Sequence, residues 1–479
     1  MKVEMERKIN FICNREEIST SIHPGITLLD FLRKNLLLTG TKEGCREGDC
    51  GSCTILVGSL TNEGIEYKSV NSCLLPINDV NGKHVVTIEG LNKDQLSPVQ
   101  TSFVDEGASQ CGFCTPGFIV SLTGYLLSRQ NFDKDDAVYS MDGNICRCTG
   151  HSSIIRAAQK SLDKIQSQKT SSKNHIKNLI EVGVLPEYFS KIKLNLEKLQ
   201  KSIKASRRVN KNGKHLISGG TDLYVQKWEE IYNTEVNFLS TGVIPTSIKE
   251  KDGKCIIGAG ASVCDLIESP VINENFPQMK NHLKLFGSLP IRNRATVGGN
   301  IVNASPIGDI ANILLALDAE LRIKSGKSFR RVNLKEFYKG YKKLNLKRSE
   351  LVYEISFNLP VGNFYFNFEK VSKRTYLDIA SVNSSIYIET NSNKIVKIHL
   401  SAGGVAPIPL YLKKVCKFLQ GKEIDAATIT DACKIAESEI SPISDVRGSA
   451  KYKRLLLRQL IFTHFIKLFP DRISIGMIA

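Results

Sequence analysis

The stretch T-K-E-G-C-R-E-G-D-C-G-S-C-T, residues 41–54, sets Cys45, Cys50 and Cys53 in a C-x4-C-x2-C run, and the next cysteine, Cys73, follows in the apolar context S-V-N-S-C-L-L. This is the thiolate spacing of plant-type [2Fe–2S] loops. Four thiolates have to converge on two irons, so the backbone must wrap closely and turn its N–H groups toward the cluster. Gly44, Gly48 and Gly51 allow that path, because glycine accepts positive φ and adds no Cβ. Four cysteines could also form a zinc site or structural disulfides, but zinc ligands usually come as two C-x2-C knuckles, and the longer gap fits that badly.

The rest of the composition narrows the setting. At 479 residues, 42% hydrophobic and 7% aromatic, the chain has room for roughly three globular domains of about 150 residues. No apolar run approaches the roughly 18 residues of a membrane helix, residues 310–317 being among the best candidates. The charged start M-K-V-E-M-E-R-K leads straight into a strand pattern, which argues against a secretory signal, so a cytoplasmic chain without a membrane partner is expected. Thirteen cysteines in that setting favour metal or redox chemistry over a disulfide framework. The 65 Lys+Arg against 48 Asp+Glu leave +17, yet the lysines are scattered and no aromatic-interleaved basic stripe appears. Nucleic acid is therefore not an expected partner; the charge reads as a solvated basic surface, which could face an acidic subunit or attract dinucleotides.

Taken in order, residues 8–20 alternate around Asn14-Arg15 and predict a hairpin. Thr27 can cap a helix with Leu28, Leu29, Leu32 and Leu36 on one face, and short strands are expected at 54–57, 65–70 and 84–88. Hairpin, helix, cysteine loop and returning strands make a β-grasp ferredoxin-like module, with Cys13 as a core residue. A second cysteine set follows: S-Q-C-G-F-C-T-P-G holds Cys111 and Cys114, and N-I-C-R-C-T-G holds Cys146 and Cys148. Thr115-Pro116 opens a helix with Phe118, Ile119, Leu122, Tyr125 and Leu126 on its buried face, and Ser152 is expected to cap another through Ile155, Ala158 and Leu162. Both cysteine pairs then precede helix N-termini, where backbone dipoles favour thiolates. Alone, this set would also fit zinc.

Together the two sets resemble the iron–sulfur part of the xanthine dehydrogenase (molybdenum hydroxylase) family. The resemblance implies that Cys45, Cys50, Cys53 and Cys73 hold the [2Fe–2S] cluster nearer a flavin, and Cys111, Cys114, Cys146 and Cys148 the one nearer a molybdenum cofactor.

Beyond a polar stretch at 161–177, read as a linker, and a basic helix expected over 191–209, two glycine runs appear. L-I-S-G-G-T-D-L is a strand and turn whose N–H groups could approach a pyrophosphate, or whose glycines could serve packing only. I-R-N-R-A-T-V-G-G-N-I, followed by S-P-I-G-D, offers further backbone donors, a carboxylate and an amide. The run I-G-A-G-A-S-V at 257–263 has Val263 where a dinucleotide fingerprint requires glycine, and reads as strand-to-helix packing. On the same family resemblance, Leu216, Ile217, Ser218, Gly219, Gly220, Thr221, Asp222, Leu223, Thr296, Gly299, Asn300 and Asp309 would bind FAD. Phe286 would lie against its ring, though it reads equally as a core phenylalanine, and Lys370 matches another flavin-contacting position. Residues 372–378 would form a loop beside the flavin. Alternating strands are expected from 378, then helices near 413–419, 426–439 and 452–469. Residues 444–454 resemble the family's flavoprotein C-terminal domain, while Cys255, Cys264, Cys416 and Cys433 match no ligand motif and read as packed thiols.

The expected architecture is a multidomain α+β chain: a ferredoxin-like domain (1–90), a helical-bundle [2Fe–2S] domain (91–165), a linker (166–190), a vanillyl-alcohol-oxidase-type FAD domain (191–365) and a CO-dehydrogenase-flavoprotein-like α/β domain (366–479). With no room for a molybdopterin domain, the chain resembles the small subunit of a split enzyme of that family. The resemblance implies a molybdopterin-binding large subunit as partner, in an α2β2 assembly, with electrons from a purine reaching NAD. An aldehyde, nicotinate or other heterocycle would serve the same chain, and a zinc-stabilised, non-redox binding protein is the alternative of another class.

Overall fold

The computed structural model describes residues 8–168, 172, 174–203, 215–239 and 242–477. The chain divides into two compact units, one of Met1–Val243 with Ser288–Arg294, the other of Ile244–Gly287 with Ala295–Ala479. Each is described by itself.

In the first unit, the hairpin forms where alternation placed it: Ile9–Cys13 pairs antiparallel with Glu16–Thr20 across Asn14, whose φ of 55° supplies the turn. A five-stranded sheet grows from it through His84–Val86, Thr54–Thr61 and Gly64–Asn71. Thr27 accepts from the Asp30 amide and caps Leu28–Asp30, which passes into a π-turn at Phe31–Asn35; Leu28, Leu29 and Leu32 are buried. Cys13 is buried in this core, as expected.

Helix Thr115–Ser128 packs through Phe118, Ile119, Leu122, Tyr125 and Leu126 into a second core. Ser152 is not a cap. Gly150 and His151 both adopt positive φ, 67° and 69°, so helix Ser152–Gln166 takes Ser152 as its first residue. The buried stripe runs through Ile154, Ala157, Ala158 and Leu162, and Ile155, about 100° further round, is 37% exposed. Part of the expected linker is folded: helix His175–Glu181 and residues Leu179, Val182, Val184, Leu185 and Phe189 join the same core. The basic helix is Phe189–Ser202, and the remainder of that expectation, residues 204–209, lies outside the described residues. This unit also holds the parallel pair His215–Ile217 and Val236–Phe238, with helix Leu223–Tyr232 between them.

In the second unit, a five-stranded sheet contains Lys254–Gly258, and the 257–263 run is indeed packing: a Cβ on Gly258 would lie 2.3 Å from the Pro245 carbonyl oxygen, and Ser262 forms a capping box with Asp265. A four-stranded antiparallel sheet, Phe364–Val371, Val382–Asn391, Lys394–Gly403 and Leu410–Tyr411, packs with helices Asp309–Ala316 and Ala450–Leu468. Helices Lys413–Leu419 and Ala426–Glu439 stand where periodicity placed them. Cys255, Cys264, Cys416 and Cys433 are buried thiols.

Candidate cofactor sites

The eight predicted ligand cysteines lie in the first unit, as close pairs. Cys53 and Cys73, both buried, hold their sulfurs 3.4 Å apart, and Cys45 lies beside Cys50. In the helical domain, Cys148 and Cys111 are 3.5 Å apart and exposed, and Cys114 lies against Cys146. Among the described residues, no three His, Cys, Asp or Glu side chains gather as one metal ion would require. Paired thiolates are what a [2Fe–2S] cluster, with two thiolates on each iron, would need.

Donors surround the sulfurs. Glu47 N–H reaches Cys45 Sγ at 3.3 Å, Ser52 Oγ lies 3.2 Å from Cys50 Sγ, and Thr149 N–H and Oγ1 reach Cys146 Sγ at 3.4 and 3.2 Å. Contact with Cys45, then the Ser52 hydroxyl, draws the Cys50 thiol down to about 6, and Cys45 is driven up in return. The Phe113 N–H, then Cys148, lowers Cys111, while burial pushes Cys114 up to about 12. A Cβ on Gly44 would lie 2.8 Å from Cys50 Sγ, so the backbone takes the space a side chain would fill.

The two loops are joined. Ile145 N–H donates to the Cys50 carbonyl at 3.0 Å, and Asn144 Nδ2 to the Gly51 carbonyl at 3.0 Å, with Ser121 Oγ fixing Asn144 Oδ1 at 2.7 Å. One hydrogen bond thus separates the residue before Cys146 from Cys50. Arg46, at φ 57° beside Cys45, is anchored by Asp30, whose carboxylate also accepts from Tyr232 and Thr27.

Ser288–Arg294 threads past all of this. Ile291 faces Gly48 and Leu74, and Arg292, fully buried, pairs with Asp142 at 2.5 Å. Asn293 Nδ2 donates to the Ser69 carbonyl at 2.9 Å, and Arg294 Nη2 bridges Asp79 Oδ2 (2.6 Å) and the Gly219 carbonyl (2.8 Å). Asn144, Asp142, Arg292 and Arg294 escaped the sequence reading, although the last two stand inside the quoted I-R-N-R run. Their partners lie 150 and 215 residues away, a separation no local pattern reports.

The two glycine runs behave differently. In the first unit Gly220 has φ 79°, and the N–H groups of Gly219, Gly220 and Thr221 have no acceptor among the described residues. In the second unit, the donors expected around Thr296 are already used. Val297 N–H goes to the Ala261 carbonyl, Gly298 N–H to Ala259, Gly299 N–H to Thr296 Oγ1 and Asn300 N–H to the Thr296 carbonyl. This corrects the expectation of free backbone donors there. Gly298 serves packing, since its Cβ would lie 2.8 Å from the Ala259 oxygen. Asp309, at the head of its helix, meets Lys370 Nζ at 2.7 Å and Asn383 Nδ2 at 2.5 Å; Lys370 also donates to the Leu285 carbonyl, next to the half-buried Phe286. Asn300 Oδ1 accepts from the Ala311 amide at 3.2 Å.

Family models match nearly all of this architecture: a 2Fe-2S iron-sulfur cluster binding domain at 11–78, a [2Fe-2S] binding domain at 87–159, an FAD binding domain in molybdopterin dehydrogenase at 195–360 and a CO dehydrogenase flavoprotein C-terminal domain at 367–468. The chain is thus built of domains of the molybdenum hydroxylase family: two [2Fe–2S]-binding domains, an FAD-binding domain and a flavoprotein C-terminal domain. It is 28% identical to the xanthine dehydrogenase of Emericella nidulans across 98% of its own length and 39% of that protein, and 26% identical to aldehyde oxidase 2 of Mus musculus across 96% and 39%. The chain spans about two fifths of the length of these relatives. Its fold is similar to a chain of the carbon monoxide dehydrogenase of Hydrogenophaga pseudoflava, with TM-score 0.51, 24% identity and 55% of this chain against 92% of that one. Against quinoline 2-oxidoreductase from Pseudomonas putida 86 the values are 0.50, 21%, 54% and 90%. Among the described residues, no helix is long and apolar enough to cross a membrane.

Proposed function

We propose that this chain is the electron-transfer subunit of a xanthine dehydrogenase, working in the cytoplasm beside a molybdopterin-binding large subunit in an α2β2 assembly. Cys45, Cys50, Cys53 and Cys73 would hold one [2Fe–2S] cluster and Cys111, Cys114, Cys146 and Cys148 the other. Leu216–Leu223, Phe286, Thr296, Gly299, Asn300, Asp309 and Lys370 are the residues assigned to FAD. When bound, these groups supply stepwise electron transfer from hypoxanthine or xanthine oxidation at the partner's molybdenum centre to NAD. The chain's own residues fix distances: Asn144 and the Ile145 amide hold the two cysteine loops together, and Arg294 holds the Gly219 turn.

The observation that carries this reading is the set of four thiol pairs in two cysteine sets, joined by the bond from Ile145 N–H to the Cys50 carbonyl. Relatives named aldehyde oxidase support a second reading, in which the partner acts on an aldehyde or another heterocycle. An anaerobic visible spectrum of the purified chain before and after NADH, with iron and flavin counted, is the test. Cluster and flavin bands that both bleach are the expected result. Bands that ignore NADH would remove NAD as the acceptor, and a colourless zinc protein would overturn the redox assignment. A substrate screen of the complex with its partner then separates purine from aldehyde or heterocycle.

A further inference from the structure

We propose that Asp79, a residue of the ferredoxin-like domain, is a positioning residue for the glycine turn at 219–221, acting through Arg294; the inference rests on the flavin reading above. Asp79 sits in the short helical turn Ile77–Val80 with its side chain 1% exposed, and Arg294 is 15% exposed. A single nitrogen, Arg294 Nη2, spends its hydrogens on Asp79 Oδ2 at 2.6 Å and on the Gly219 carbonyl at 2.8 Å. A guanidinium nitrogen held by a buried carboxylate aims its second N–H at the peptide oxygen and so restrains the plane of that peptide. That peptide's carbonyl lies immediately before the Gly220 N–H, one of the three donors with no acceptor among the described residues.

A second tie, from Tyr224 Oη to the Gly25 carbonyl at 2.7 Å, holds the far side of the turn to the same domain. The turn is therefore shaped from outside: its own sequence supplies flexible glycines, and Asp79 and Arg294 choose the orientation of the peptide. Such preorganisation acts on ligand affinity, because a free donor helps only when it already points at its acceptor.

The test uses the full chain stripped of flavin and titrated with FAD by flavin fluorescence, for wild type, Asp79→Ala, Arg294→Met and the double variant. Expected are about tenfold weaker FAD binding in each single variant, a double variant no weaker than the worse single, and unchanged paramagnetic resonance signals from both reduced clusters. Single variants binding FAD within twofold of wild type would overturn the latch, as would losses that multiply in the double or loss of the cluster signals. A wild-type chain that takes up no FAD would instead overturn the flavin reading itself, and the inference with it.

Discussion

Asp142→Ala tests the most deeply buried ion pair near the second cysteine loop. Arg292 and Asp142 are 0% and 2% exposed and 2.5 Å apart; Asp142 Oδ1 also accepts from the Leu289 amide at 2.8 Å, and the guanidinium lies 5.1 Å from the Tyr139 ring centre. Removing only the carboxylate strands a cation in the interior, which costs about 3–5 kcal/mol. At about 1.4 kcal/mol per factor of ten, that makes opening of residues 142–146 roughly 10²- to 4 × 10³-fold easier. The assay is hydrogen exchange on the cofactor-loaded chain, read at the amides of Asn144 and Ile145, which donate to Met141 and Cys50. Protection should fall by that factor in Asp142→Ala and return in large part in Asp142→Ala/Arg292→Met, where neither charge is stranded. A loss of less than about tenfold, or a double variant as open as the single, would refute the reasoning.

Other expectations follow from single contacts. Gly51→Ala forces a Cβ to 2.3 Å from the Gly143 carbonyl at φ 68°, so iron analysis should show loss from both loops while far-ultraviolet circular dichroism stays near wild type. Burial works against the Asp30 carboxylate, but Arg46, Tyr232 and Lys34 hold it below the usual range; Asp30→Asn should cost about 1–3 kcal/mol above roughly pH 5. Because the carboxyl is depressed in the folded chain, that gap in melting temperature should narrow as pH falls below about 4. Lys370→Met leaves buried Asp309 without its cation, so a loss of about 2–4 kcal/mol, a melting point lower by roughly 5–15 °C and reduced flavin content are expected.

What could be read in advance was what short-range chemistry dictates. The cysteine spacing, the Asn14 hairpin, the Thr27 cap and the last three helices follow from residues within a turn or two of each other. The run 382–388 was less legible. Its alternation predicts a strand but not its burial: Val382, Asn383, Ser384, Ser385, Ile386, Tyr387 and Ile388 are all buried. Helices cover the sheet, and Asn383 is spent on Asp309, Asn312 and the Ile307 carbonyl. The donors of the Thr296 turn were misjudged for a similar reason: Ala259 and Ala261 consume two of them, a fact of tertiary pairing that no glycine count reveals. The helix after Cys148 was displaced because two successive left-handed residues, one of them His151, are rarely anticipated from sequence.

The seam between Gly51 and Gly143–Asn144 also bears on how the molecule is made. Gly51 and Gly117 stand so close to their neighbours that a single added carbon on either would fall 2.3 Å from a carbonyl oxygen, and Cys53 and Cys73 are buried while Cys111 and Cys148 stay exposed. The helical domain can therefore close against the ferredoxin-like loop only where both glycines stay bare. Assembly of the two domains should thus depend on Gly51 and Gly117 as much as on the cysteines they adjoin.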